Sequence, residues 1–221
     1  MEYYFGGEMI TIFKHIKIKK ELKRFKEFKS CYNFEKKTIV EKKGYLFCDE
    51  ICLGESDNLQ LIGESEKFVN VSYKAHGSLP KILSNLFPYS FYFKGYKLHS
   101  IESFFQGIKF KNKKSQKLVF KLSGLDSNNI KAAQDYIWQE ERVVYFMGKP
   151  YKRDSKEYED LVDELYVSLL QNPLYVNALK SVGNKYILHI IGAPNTKESV
   201  FSRCEFEKQL NCLKDYCLMY K

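Results

Sequence analysis

Arginine is scarce in this chain. It occurs only at Arg24, Arg142, Arg153 and Arg203 among 36 basic residues, the rest being lysine. Lysine is a solvated point charge, without the planar fork that reads base edges through paired hydrogen bonds. The formal net charge of +9 therefore speaks for attraction to phosphates more than for sequence reading. The plainer explanation is gene composition, since Lys, Asn, Ile, Tyr and Phe are all abundant. Metal-ligand spacing is also lacking. Among the six cysteines, Cys48 and Cys52 are separated by three residues and Cys212 and Cys217 by four. Neither is the CxxC spacing of common zinc sites, and His15, His76, His99 and His189 are scattered. The expectation is free buried thiols, no metal and no cofactor. No apolar run approaches the roughly 20 residues of a membrane span. The apolar stretch 9–13 is too short for a signal peptide, and lysines follow it. These absences predict a cytoplasmic protein with no membrane partner. They leave oligomeric state open.

What is present suffices for a core. The chain has 221 residues, 44% hydrophobic and 16% aromatic, enough for one large domain or a domain plus an extension. Residues 14–29 are strongly basic, with Leu22, Phe25 and Phe28 spaced for one helical face. That segment reads as a solvated amphipathic helix or as a phosphate-contacting arm. Short strands are expected at Thr38-Ile39-Val40, Tyr45-Leu46-Phe47, Leu59-Gln60-Leu61-Ile62 and Phe68-Val69-Asn70-Val71, broken by Gly44, Gly54 and Gly63. His76-Gly77-Ser78-Leu79-Pro80 reads as a joint, dividing an extension at 1–75 from a domain at 76–221.

Beyond the joint, 90–98 alternates around Lys94-Gly95 and predicts a hairpin. Ser100 is placed to cap a helix. A second helix is expected from Asn129 to Tyr136 or beyond. Tyr158, Leu161, Val162, Leu165, Tyr166 and Leu169 form the buried stripe of a long helix starting near Ser155. Asn172-Pro173 stops it and Pro173 opens another. Gly183-Asn184 predicts a turn and 186–191 a strand. Phe206, Leu210, Leu213 and Cys217 mark a closing helix.

Chemistry concentrates in the helix after Ser100. At about 100° per residue, Gln106 lies about 40° from Glu102 and Lys109 about 20° from it on the other side. Ile101, Phe104, Phe105 and Ile108 occupy the opposite face. A carboxylate, an amide and an amine thus share one stripe, with Glu102 and Lys109 about 10 Å apart along the axis. By spacing alone the stripe is a polar face turned to water.

The surrounding order of motifs changes that reading. Leu83-Ser84-Asn85-Leu86-Phe87, a hairpin, Ser100-Ile101-Glu102, Gln106 and Lys109-Phe110 resemble the start of the NADAR domain, also called the YbiA-like family. That family's pattern is roughly "SNF(Y/F)", a short β segment, then "(S/T)xEHxxQAxKF". Tyr151-Lys152-Arg153-Asp154 and the helix after it resemble the family's "RxDW" and its helix. Gln171-Asn172-Pro173, Ala178-Leu179 and the turn and strand at 181–188 follow in the family's order. The resemblance covers about 79–216 and implies an α+β fold: a mainly helical YbiA-like domain with a small sheet, here carrying a β-rich N-terminal extension.

Members of that family are N-glycosidases. They are linked to removing ADP-ribose from guanine bases of nucleic acid and to hydrolysing ribosylated intermediates of riboflavin synthesis. The resemblance therefore implies hydrolysis of a C1′–N bond in an ADP-ribosyl or ribose-phosphate adduct, with nucleic acid a candidate partner. The alternative is a non-catalytic binder of ADP-ribose, nucleotides or nucleic acid on the same scaffold. On the family pattern Glu102 is the catalytic carboxylate. Lys109 is the active-site lysine, attacking C1′ or stabilising charge. Ser84 and Asn85 shape the pocket, although turn and N-cap roles also suit their residue types. Gln106 is placed to bind a ribose hydroxyl or a base edge. Arg153 and Asp154 pair, cap the helix or hold a diphosphate. Trp138 is a stacking platform or a core aromatic. His189 ends a strand inside the fold or faces the pocket.

Three positions depart from the pattern. Ser103 stands where histidine follows the glutamate, and Ser155 stands at the tryptophan of "RxDW". The late "DxxWG" element is replaced by 189–195 and 198–206. These departures leave room for a divergent branch, viral in one reading.

Overall fold

Three apolar residues one turn apart commit the lysine-rich start of the chain to the core. In the computed structural model, residues 4–58, 61–130, 137–191, 197 and 199–221 are described, with backbone alone over 4–16 and at 137. Helix α1 (Tyr4–Ser30) buries Phe25 completely, with Leu22 and Phe28 packed beside it. The Phe25 ring meets the edge of Tyr216 at 5.4 Å. Lys29 reaches from α1 to Asp163 (2.6 Å) and Gln209 (3.1 Å).

An antiparallel meander follows: β1 (Ile39–Lys42), β2 (Tyr45–Cys48) and β3 (Ile51–Glu55). Strand β3 has no counterpart in the sequence reading. The strand expected at 59–62 falls partly outside the described residues, and Leu61 and Ile62 are not in a strand. Strand β4 (Phe68–Asn70) pairs in parallel with β9 (Tyr186–Leu188), 118 positions away by the register Phe68 to Tyr186. Leu46, Cys48, Phe68, Leu188 and Ile190 form a second, small core between meander and pair. Residues before 76 thus contribute to both cores.

The hairpin at 90–98 forms as β5 (Phe91–Phe93) and β6 (Tyr96–Leu98). Lys94 and Gly95 both take positive φ, 47° and 82°, which suits a two-residue hairpin turn. After the short α2 (Leu79–Ile82) and this hairpin come α3 (Ile101–Gly107), α4 (Lys113–Val119) and α5 (Gly124–Asn128). The helix expected from 129 falls mostly outside the described residues, and Asn129 ends α5. Then come α6 (Ile137–Glu141) and a hairpin of β7 (Val143–Phe146) and β8 (Lys149–Lys152). The chain closes with α7 (Lys156–Leu169), α8 (Pro173–Val182) and α9 (Arg203–Tyr220). The architecture is α+β, helices around small sheets.

Phe93, Phe104, Phe120 and Phe146 form an aromatic cluster with ring centroids 5.3–6.3 Å apart. Truncating one such ring costs about 3–5 kcal/mol, so this cluster clamps α3 against the two hairpins. The predicted stripe of α7, from Tyr158 to Leu169, is buried throughout. Ser155 caps that helix by accepting from the Tyr158 amide. The thiols are free, but only Cys48, Cys212 and Cys217 are buried, while Cys31 and Cys52 are exposed.

Candidate active site

The site is built on the α3 N-terminus. Ser100 takes an extended backbone and its Oγ accepts from the Ser103 amide at 2.9 Å, a cap worth about 1 kcal/mol. Ser103, at the position of the family's histidine, is fully buried and donates back to the Ser100 carbonyl at 2.8 Å. It is spent inside the cap. The Glu102 amide donates to the Asn85 carbonyl at 2.9 Å, fixing α3 to the Leu83–Phe87 turn. A Cβ on Gly124 would collide with the Leu86 backbone, so α5 closes on the same turn only because residue 124 is glycine.

Glu102, Gln106 and Lys109 form one hydrogen-bonded chain. Gln106 Nε2 donates to Glu102 Oε1 at 2.5 Å, and Lys109 Nζ donates to Gln106 Oε1 at 2.8 Å. A carboxylate can only accept and an ammonium only donate, so the amide orientation is fixed by its neighbours. The helical geometry differs from the sequence reading in one respect. Helix α3 ends at Gly107, with Ile108 as C-cap. Lys109 therefore lies beyond the helix, not on its face. The Lys109 amide bonds to the Gln106 carbonyl and the Phe110 amide to that of Gly107. This tightened turn brings the lysine back to the amide. Lys109 Nζ also sits 5.4 Å from the Trp138 ring centroid, a cation–π distance.

These side chains line a cavity of about 450 Å³ together with Ser84 and Asn85, within the usual range for small-molecule sites. Ser84 Oγ accepts from the Leu86 amide at 3.3 Å, so it also shapes the turn. Asn85 Oδ1 accepts from the Tyr166 hydroxyl at 2.8 Å. Burial pushes the Tyr166 hydroxyl well above its ordinary pKa, keeping it a donor.

The facing wall comes from β9 and α9. His189 Nδ1 lies 2.7 Å from the Val71 carbonyl oxygen. A carbonyl only accepts, so Nδ1 carries the hydrogen. The His189 ring packs on Phe206 at 4.7 Å, and its backbone amide donates to Glu207 at 2.9 Å. Burial lowers the His189 pKa, and Arg203 acts in the same direction against the bond to Val71. Tyr73, Phe105, Phe201 and Phe206 add aromatic surface to the lining. Tyr73 and Phe201 were invisible in the sequence, since nothing local marks the β4–β9 pairing that brings them here. The strand expected at 186–191 stops at Leu188, and its successor element lies partly outside the described residues.

Arg153 and Asp154 pair with each other at 3.8 Å, and Trp138 takes the core position, one of the two roles open to it; none of the three lines the Glu102 cavity. Trp138 is buried in the core and contacts Lys109 of the site. Arg153 lies in a second hollow between α1, α7 and α9. Its terminal nitrogens donate to both Glu205 oxygens, at 2.9 and 2.5 Å, and its guanidinium lies 4.5 Å from the Tyr158 ring centroid. Asp154 accepts from Arg142 at 2.8 Å. Among the described residues, no group of three or more His, Cys, Asp or Glu side chains is placed to hold a metal. No helix among them is long and apolar enough to cross a membrane.

Comparison with known proteins places the chain among phage proteins. It is 31% identical over 136 residues to the uncharacterised 17.1 kDa protein of the Gp30–rIII intergenic region of Enterobacteria phage T4, covering 60% of this chain and 88% of the relative. Among solved structures it resembles the NMR structure of the E. coli protein YbiA, with a TM-score of 0.45 and 11% identity, over 73% of this chain and 90% of that one. The family model described as bacteriophage protein GP30.3 matches residues 78–215, and the chain belongs to that family.

Proposed function

We propose that this protein is an N-glycosidase that hydrolyses the C1′–N bond of an ADP-ribosyl or ribose-phosphate adduct. The observation that carries the reading is the Glu102–Gln106–Lys109 chain along one wall of a cavity that Ser84 and Asn85 also line. Breaking such a bond builds positive charge on the ribose. Glu102 stabilises that charge and accepts a proton from the attacking water, a contribution of about 10²–10⁴-fold for a general base. The water oxygen bonds to C1′, the C1′–N pair leaves with the base nitrogen, and that nitrogen gains a proton. The Lys109 ammonium stabilises the electron pair leaving on the base nitrogen and can give that nitrogen its proton; alternatively the neutral amine attacks C1′ as the base leaves, and water then hydrolyses the lysine–C1′ bond to free the amine. Gln106 holds the two groups apart and in register.

The test is release of ADP-ribose from ADP-ribosylated guanine nucleic acid and of ribose 5-phosphate from ribosylated pyrimidine intermediates. Catalytic release from either supports the reading. Tight binding of ADP-ribose or nucleic acid with no release from any of them makes the protein a binder instead. Lys111, Lys113, Lys114, Lys117 and Lys121 are all exposed just beyond Lys109, which gives the nucleic-acid form of that second reading its support.

A further inference from the structure

We propose that the wall made by Phe201, Phe206 and His189 is the subsite for the leaving base, a planar heterocycle that donates an N–H to His189 Nε2. The inference rests on reading the Glu102 side of the cavity as the ribosyl side.

The aromatic wall is continuous. Phe105 stacks on Phe201 at 4.8 Å and 13°, Phe201 meets Phe206 at 6.2 Å, and Phe206 meets the His189 ring at 4.7 Å. All four residues line the cavity. The wall starts one helical turn from Glu102 on α3 and ends at His189, the residue after β9. A heterocycle bonded to a ribose beside Glu102 is carried across the cavity onto this surface. Base–aromatic stacking is the usual way such a ring is held.

His189 adds direction. With its Nδ1 hydrogen given to Val71, the neutral ring presents Nε2 as an acceptor. Nε2 has no hydrogen-bond partner among the described residues, and the ring borders the cavity. An acceptor beside a stacking surface selects a ring with an N–H at its edge. Residue 155, where the resembled family has tryptophan, is a serine capping α7, and Trp138, the other candidate platform, is buried in the core against Lys109.

The test compares ribose 5-phosphate with guanosine 5′-monophosphate by titration calorimetry. The wild-type chain should prefer the nucleotide by about tenfold or more. Phe201→Leu keeps apolar bulk and His189→Phe keeps a ring, and each should reduce that preference to about twofold while ribose 5-phosphate affinity stays put. His189→Gln, which retains an acceptor, should restore part of it. Equal wild-type affinity for the two ligands overturns the subsite. So does a preference that survives both variants, or a parallel loss for both ligands. A chain that shows the preference but never hydrolyses an adduct sinks the glycosidase and not the subsite.

Discussion

The Tyr166 hydroxyl donates to Asn85 Oδ1 at 2.8 Å and so ties the buried stripe of α7 to the cavity wall. Tyr166 is fully buried, and Phe fills nearly the same volume. Tyr166→Phe should cost about 1 kcal/mol in urea denaturation, the typical net value of one hydrogen bond. It should also weaken ADP-ribose binding, because Asn85 loses its anchor. Unchanged affinity would make Asn85 a structural residue only.

Gln106 links Glu102 to Lys109 by hydrogen bonds to each. Gln106→Met conserves volume and removes the amide's hydrogen bonds to Glu102 and Lys109. Turnover should fall about tenfold to a hundredfold, the scale of a small misplacement. Stability should change far less. Full activity in that variant would show that Glu102 and Lys109 need no positioning by the amide.

His189 makes stability depend on pH. Burial depresses its folded-state pKa below the ordinary 6.5. As pH drops below about 6.5, the unfolded chain binds a proton that the folded chain does not. Stability from this group is therefore full above about 6.5 and declines as pH falls towards the folded-state value. His189→Gln should lose less stability than wild type between pH 7 and pH 5. Parallel stability curves would contradict the assignment.

Helix α1 is part of the core. Phe25 packs on Tyr216, and Lys29 meets Asp163 and Gln209. Phe25→Ala should cost about 3–5 kcal/mol, read as a lowered urea midpoint, and deleting residues 1–30 should leave an aggregating remainder. A soluble, active truncated chain would make the segment a separable module.

Local chemistry was legible in the sequence. Lys94-Gly95 wrote its hairpin, Ser100 and Ser155 wrote their caps, and the stripe from Tyr158 to Leu169 wrote α7. Glu102, Gln106, Lys109, Ser84 and Asn85 do share a cavity. What failed was non-local. Helical periodicity could not show that α3 stops at Gly107 and that a turn, not the helix, returns Lys109 to Gln106. Glu205, 52 residues away, engages Arg153. Strands β4 and β9 meet only in the fold; the sequence marks His189 as a pocket candidate, but not the aromatic wall beside it.

The most direct measurement is single-turnover release of ADP-ribose from an ADP-ribosylated guanine oligonucleotide by the wild type and by Glu102→Gln. The substitution keeps size and hydrogen-bonding capacity but removes the negative charge and the base. If Glu102 stabilises the ribosyl cation and activates water, the rate falls by about 10²–10⁴-fold with substrate affinity retained. A Glu102→Gln chain as fast as wild type would contradict the assignment.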